Sequence, residues 1–166
     1  MPQSVAATTV HQAHRQTALI VSCLIASWFI FLLLVEGKRR GFLSVGGAEA
    51  TAANPILVYA LYAAAVMNVV LGRVLRTLLL RRPPQTIDEG VTRLRNVSIV
   101  TAALHESIVL FGLLLVLLAQ RYPDFYVLFA IALLLQAMTF PRLAEWERWL
   151  QGPGNERMGQ GGVITE

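Results

Sequence analysis

The sequence predicts an all-α polytopic membrane protein: four transmembrane helices arranged as two hairpins, followed by a C-terminal interfacial helix. Three observations predict it. Of 166 residues, 55% are hydrophobic and 14% are charged, whereas a soluble domain carries about 25% charge. The apolar residues gather into four runs that approach the roughly 20 residues needed to cross a bilayer. The lone cysteine, Cys23, excludes an internal disulfide framework and a multi-cysteine metal site. So high an apolar fraction also excludes disorder of the chain as a whole.

The elements follow in order. Residues 1–16 form a polar N-terminal segment, and 17–35 is an uncharged first span. That run exceeds the core of a signal peptide, about 7–15 residues, so the helix is expected to be retained. The second span, 55–72, opens on Pro55, which suits a first helical turn where no backbone N–H is needed. It continues into the basic stretch from Arg73 to Arg76 and stops at Pro83-Pro84. Thr86-Ile87-Asp88-Glu89 is a capping-box pattern ahead of the third span, 97–118. The fourth span, 123–140, opens on Pro123 and exits at Pro141. Only helices can satisfy backbone polar groups here, because four segments cannot close a barrel. After Pro141, residues 141–151 place Leu143, Trp146, Trp149 and Leu150 near one helical face. Tryptophan favours the membrane interface, so Trp146 and Trp149 are expected to anchor an interfacial helix. The Gly-rich tail 152–166 is expected to be disordered.

Basic residues sort by side. Arg15, Arg73, Arg76, Arg81, Arg82, Arg93, Arg95, Arg142, Arg148 and Arg157 lie on one side of the predicted bilayer, and Lys38, Arg39, Arg40 and Arg121 on the other. The positive-inside rule then places both termini and the central loop in the cytoplasm. The net charge of +4 fits this orientation and anionic headgroups. No nucleic-acid motif accompanies the basic residues. The expected partners are the bilayer itself and other membrane subunits or a second copy, with no soluble substrate.

Small residues recur every fourth position: Ala18, Ser22 and Ala26; Ala60, Ala64, Asn68 and Gly72; Ser98 and Ala102. Such stripes let helix backbones approach closely in lipid. A faint internal repeat aligns the second and fourth spans, with Asn68 and Gln136 at equal distances from Pro55 and Pro123. This suggests two hairpins in parallel orientation.

Glu106 stands near the centre of the third span. An ionised carboxylate there costs about 2.5–3.5 kcal/mol on insertion scales. No Lys or Arg lies inside a span to neutralise it, so its expected hydrogen-bond partners are His105, Asn68, Gln136 or Ser22. Two readings stand side by side: a neutral glutamic acid joining helices, and a proton-binding site. His105 lies about 100° round the helix and is a candidate ligand for a haem or chlorophyll metal. The other histidines, His11 and His14, precede the spans. No cofactor is expected. No nucleophile–base pair, phosphate loop or metal cluster indicates an enzyme.

The stretch Thr101–Leu113 resembles the carboxylate helix of ATP synthase c subunits and vacuolar-type proteolipids, through Ala102, Ala103, Glu106, Phe111 and Gly112. The chain also resembles small uncharacterised four-helix bacterial membrane proteins, which share an Ala-Leu-x-Glu segment and a Phe-Pro-Arg exit, here Phe140-Pro141-Arg142. The resemblance implies a bacterial inner-membrane protein in which Glu106 binds a proton. The residues themselves favour a small, non-enzymatic accessory or structural subunit of a larger membrane complex. A proteolipid-like subunit using Glu106 is the alternative, and a pigment- or haem-binding subunit using His105 the second.

Overall fold

The computed structural model describes residues 2–42, 55–81, 84 and 86–150. They form α1 (Pro2–Arg39), α2 (Pro55–Leu80), α3 (Ile87–Ala119), α4 (Tyr122–Thr139) and α5 (Leu143–Leu150). The first four are long and apolar enough to cross a membrane. The chain is therefore an all-helical, multi-pass membrane protein by length and composition.

Local chemistry sets the helix ends. Pro55 is the first residue of α2, and Pro123 lies in the first turn of α4. Thr86 has extended backbone, and its hydroxyl accepts the Glu89 N–H at 3.2 Å, capping α3. At the other end of α3, Gln120 takes a left-handed conformation (φ 53°). Its N–H reaches Val116 O, and the Arg121 N–H reaches Leu115 O. This left-handed cap closes a tight α3–α4 connection.

α1 is longer than the sequence suggested. Residues 1–16 read as a polar segment preceding the span, yet the helix runs continuously from Pro2. The cause is a heptad seam. Val10, Thr17, Val21, Trp28 and Val35 are all buried; Val10 and Thr17 share one core position of the heptad, and Val21, Trp28 and Val35 the other. That seam also replaces the predicted small-residue stripe. Ser22 and Ala26 are exposed and Ala18 is half-buried, because Trp28, fully enclosed, fills the space between helices instead of letting backbones close in. α2 uses the same spacing: Val58, Ala65 and Gly72 are its buried residues. Ala60 is exposed, and Ala64 is half-buried. Of the third stripe, Ala102 is buried and Ser98 half-buried.

α3 is the hub. It packs against α1, α2 and α4, while the backbones of α1 and α2 stay apart, as do those of α2 and α4, which meet through the Tyr62 side chain and Asp124. The spans thus pair through α3, and the α1–α2 connection is a hairpin in chain order alone. α3 and α4 approach closely at Gly112, where a Cβ would lie 3.2 Å from the Phe125 Cα. Phe125 in turn packs against Phe129, which meets Trp28 and Phe29 of α1 edge-on.

α4 has 18 residues and α3 has 33, so α3 outreaches its neighbour by about 22 Å at 1.5 Å per residue. α5 covers this extension. Trp146, Val10, Val91 and Leu94 form a second small core, with Leu80, Ala13 and Leu143 packed against it. Trp146 is therefore not the free interfacial anchor expected from sequence. It is 3% exposed, because the overhang of α3 and the N-terminal turns of α1 offer it a protein surface. The Trp149 side chain and the tail 152–166 lie outside the described residues.

Candidate functional site

The polar residues of α3 face different neighbours. His105 and Glu106 are consecutive, so helical geometry sets them about 100° apart. His105 is buried, and its Nδ1 lies 2.9 Å from the Gln136 Oε1 of α4. The carboxamide oxygen can only accept, so the imidazole donates from Nδ1. Gln136 was expected as a partner of Glu106; the structure gives it to His105.

Glu106 points instead towards α1 and is half-buried. Its Oε1 lies 3.0 Å from the Ser27 Oγ. Ser22, the serine chosen from sequence, is exposed, because it lies on the opposite flank of the α1 seam. Ser27 has a second neighbour, the Leu24 carbonyl, at 2.6 Å. A serine hydroxyl carries one proton, and a carbonyl can only accept. The Ser27 Oγ–H can therefore donate to one acceptor at a time, Leu24 O or Glu106 Oε1.

Asn68, the third expected partner, is not part of either pair. It sits mid-way along α2, half-buried, with no hydrogen-bond partner among the described residues. It flanks the α3 seam about 100° from its neighbour Val69.

Because the backbones of α2 and α4 stay apart, a cleft opens between them with α3 as its floor. Its cavity of about 290 Å³ is lined by Arg73 and Arg76 at one end, by Thr101 and His105 on the floor, and by Val69 and Leu135 on the walls. A second cavity of about 150 Å³ adjoins it under Trp146 and shares Arg76, Thr101 and Thr139. Among the described residues, no group of three or more His, Cys, Asp or Glu could hold a metal ion.

At the opposite end of the molecule, Tyr126 of α4 donates a hydrogen bond to Glu36 of α1. Glu36 also pairs with Arg39 at 3.0 Å and Arg40 at 3.4 Å. Arg121 pairs with Asp124 at 2.6 Å. Arg39, Arg40 and Arg121 at this end are thus held by local carboxylates. Sequence reasoning passed over Ser27, Glu36 and Tyr126. The Glu36–Arg39–Arg40 spacing, one helical turn, was the available signal for the ion pairs.

No protein-family model, curated protein or solved structure matches the chain.

Proposed function

We propose that this protein is a small, non-enzymatic subunit of a larger membrane assembly, and that it associates laterally through the outer face of α2. One observation carries the reading. Asn68, at mid-span, has no hydrogen-bond partner among the described residues, on a helix that packs closely against α3 along one side. A carboxamide left in hydrocarbon is costly unless it is bonded. A second membrane-embedded chain would supply that bond. The small residues Ala60 and Ala64 on the same flank would let a partner helix come close.

In this reading Glu106 is a neutral acid that fastens α1 to α3. The proton-binding alternative rests on the same residue, and the contact with Ser27 favours the fastening role. The bacterial inner membrane as setting rests on the resemblance of the third helix. The orientation, with both termini and the central loop cytoplasmic, rests on the sorting of Lys and Arg. The pairing of Arg39 and Arg40 with Glu36 supports it, since it gives those cations a packing reason to lie at the opposite end.

The test places a photoreactive amino acid at Ala60, which is exposed, and irradiates intact membranes. The expected product is a protein–protein adduct that disappears in the Asn68→Leu variant. That variant should keep its own fold, since Asn68 makes no internal bond. Adducts with lipid alone, in both chains, would refute the reading.

A further inference from the structure

We propose that the α2–α4 cleft is a binding site for a single anionic glycerophospholipid. Its phosphate would sit between Arg73 and Arg76, and one acyl chain would run along Val69 and Leu135. This inference is independent of the association face, which lies on the other flank of α2.

Four features carry it. The cleft opens between two transmembrane helices whose backbones stay apart at this end, so its natural occupant comes from the bilayer. Its lining is graded in polarity. Arg73 and Arg76, one helical turn apart, stand at the end near the α2–α3 connection, with Thr77 and Thr139 beside them. Val69, Leu135 and Met138 line the part reaching towards the middle of the spans. An anionic headgroup joined to a hydrocarbon tail has the same grading. Among the described residues lining this cavity and the one adjoining it, the acidic types are absent and Arg73 and Arg76 supply the guanidinium groups. Guanidinium groups match phosphate oxygens by forked hydrogen bonds. Basic pockets between helices are a recognised form of headgroup site.

The occupant is argued to be a lipid rather than a free anion because the apolar half of the cleft would otherwise be unfilled. The adjoining cavity beneath Trp146 leaves room for the glycerol and headgroup on the far side of Arg76. α5 thereby closes over the polar end, which gives the packing of Trp146 on the bundle a purpose beyond covering the α3 overhang.

The experiment is native mass spectrometry of the purified full chain in detergent. It is titrated with phosphatidylglycerol or with phosphatidylcholine of the same acyl chains. One phosphatidylglycerol is expected to stay bound at concentrations where phosphatidylcholine does not. R73Q/R76Q should weaken that binding about 30-fold, from roughly 1 kcal/mol per basic residue. The matched control R15Q/R95Q removes the same charge from exposed positions at the same end and should change binding less than twofold. M138W, at an exposed position on the cleft wall, should abolish lipid binding with both arginines intact, a result that loss of charge cannot explain. Equal retention of the two lipids would overturn the proposal, as would equal losses in the two double variants. So would full binding in M138W, or displacement of the lipid by glycerol 3-phosphate, which would mark the site as one for a free anion.

Discussion

Replacing Glu106 with glutamine separates two states of the α1–α3 contact by the sign of a stability change. Ser27 has one proton and two acceptors within reach, Leu24 O at 2.6 Å and Glu106 Oε1 at 3.0 Å. With a neutral carboxyl, the acid donates to Ser27 and Ser27 donates to Leu24, so both bonds are made. A glutamine amide donates in the same place, and Glu106→Gln should change stability by no more than about 0.5 kcal/mol. With an ionised carboxylate, glutamine would relieve a charge that costs about 2.5–3.5 kcal/mol at mid-span, and the variant would be more stable by a large part of that. The bond itself is measured by a double-mutant cycle of Ser27→Ala with Glu106→Ala. Interhelical bonds in membranes average about 0.6 kcal/mol and reach about 1.7, so a coupling of about 1 kcal/mol is expected. Reversible unfolding in bicelles gives all of these values. Infrared spectra of the same samples should show a protonated carboxyl band that is missing from Glu106→Gln. Stabilisation beyond about 1.5 kcal/mol by Glu106→Gln, or a coupling of zero, would refute the neutral hydrogen-bonded acid.

Two further outcomes follow from the packing. Gly112→Val should cost about 1–3 kcal/mol, because its Cβ would meet the Phe125 Cα at 3.2 Å and backbone cannot yield as a side chain can. Gly72→Ala, which meets nothing nearer than the Leu104 Cδ1 at 3.6 Å, should be neutral or slightly stabilising through helix propensity; thermal unfolding in micelles orders the two, and equal effects would contradict the α3–α4 crossing. Tyr126→Phe should loosen the end of the bundle where α1 meets α4 by removing a charge-assisted bond to Glu36, with faster amide exchange near Val35 and Phe125 and unchanged exchange at Trp146. Uniformly faster exchange along the chain would show that the bond does not act locally.

The spans, their order and several of their ends were legible because hydropathy and terminal residues act locally. Pro55, Pro123 and Thr86 mark helix starts by chemistry that needs no neighbour. The contact faces were not legible in the same way. The stripe Ala18–Ser22–Ala26 and the seam Thr17–Val21–Trp28–Val35 lie on one helix, and both are plausible interfaces in lipid. Burial falls on the second because the 3.5-residue repeat keeps one face towards α3 along the whole length of α1, which a four-residue stripe does not. Ser22 and Ser27 then flank that seam on opposite sides. A sequence gives the seam but not which flank meets Glu106. Trp146 was misplaced for a related reason. Its preference for an interface is real, but the overhang of α3 created a protein interface for it, and that overhang depends on the difference in length between α3 and α4.

The His105–Glu106 doublet carries information about architecture. Two adjacent polar residues on a membrane helix point about 100° apart, so neither can borrow the other's partner. Both are satisfied inside the bilayer only if the helix has protein on two sides. α3 has α4 on one side for His105 and α1 on another for Glu106, and α2 meets it on a third at Gly72 and Leu104. The doublet therefore identifies the hub from sequence alone, by a counting argument about polar groups rather than by hydropathy. Applied to α2, the same argument gives the opposite result. Asn68 is a mid-span carboxamide on a helix whose close packing is against α3, and it flanks that contact instead of entering it. Its amide completes its bonding when α2 gains a protein neighbour on that flank, so the requirement that organises α3 within the chain points, at α2, to a contact between chains.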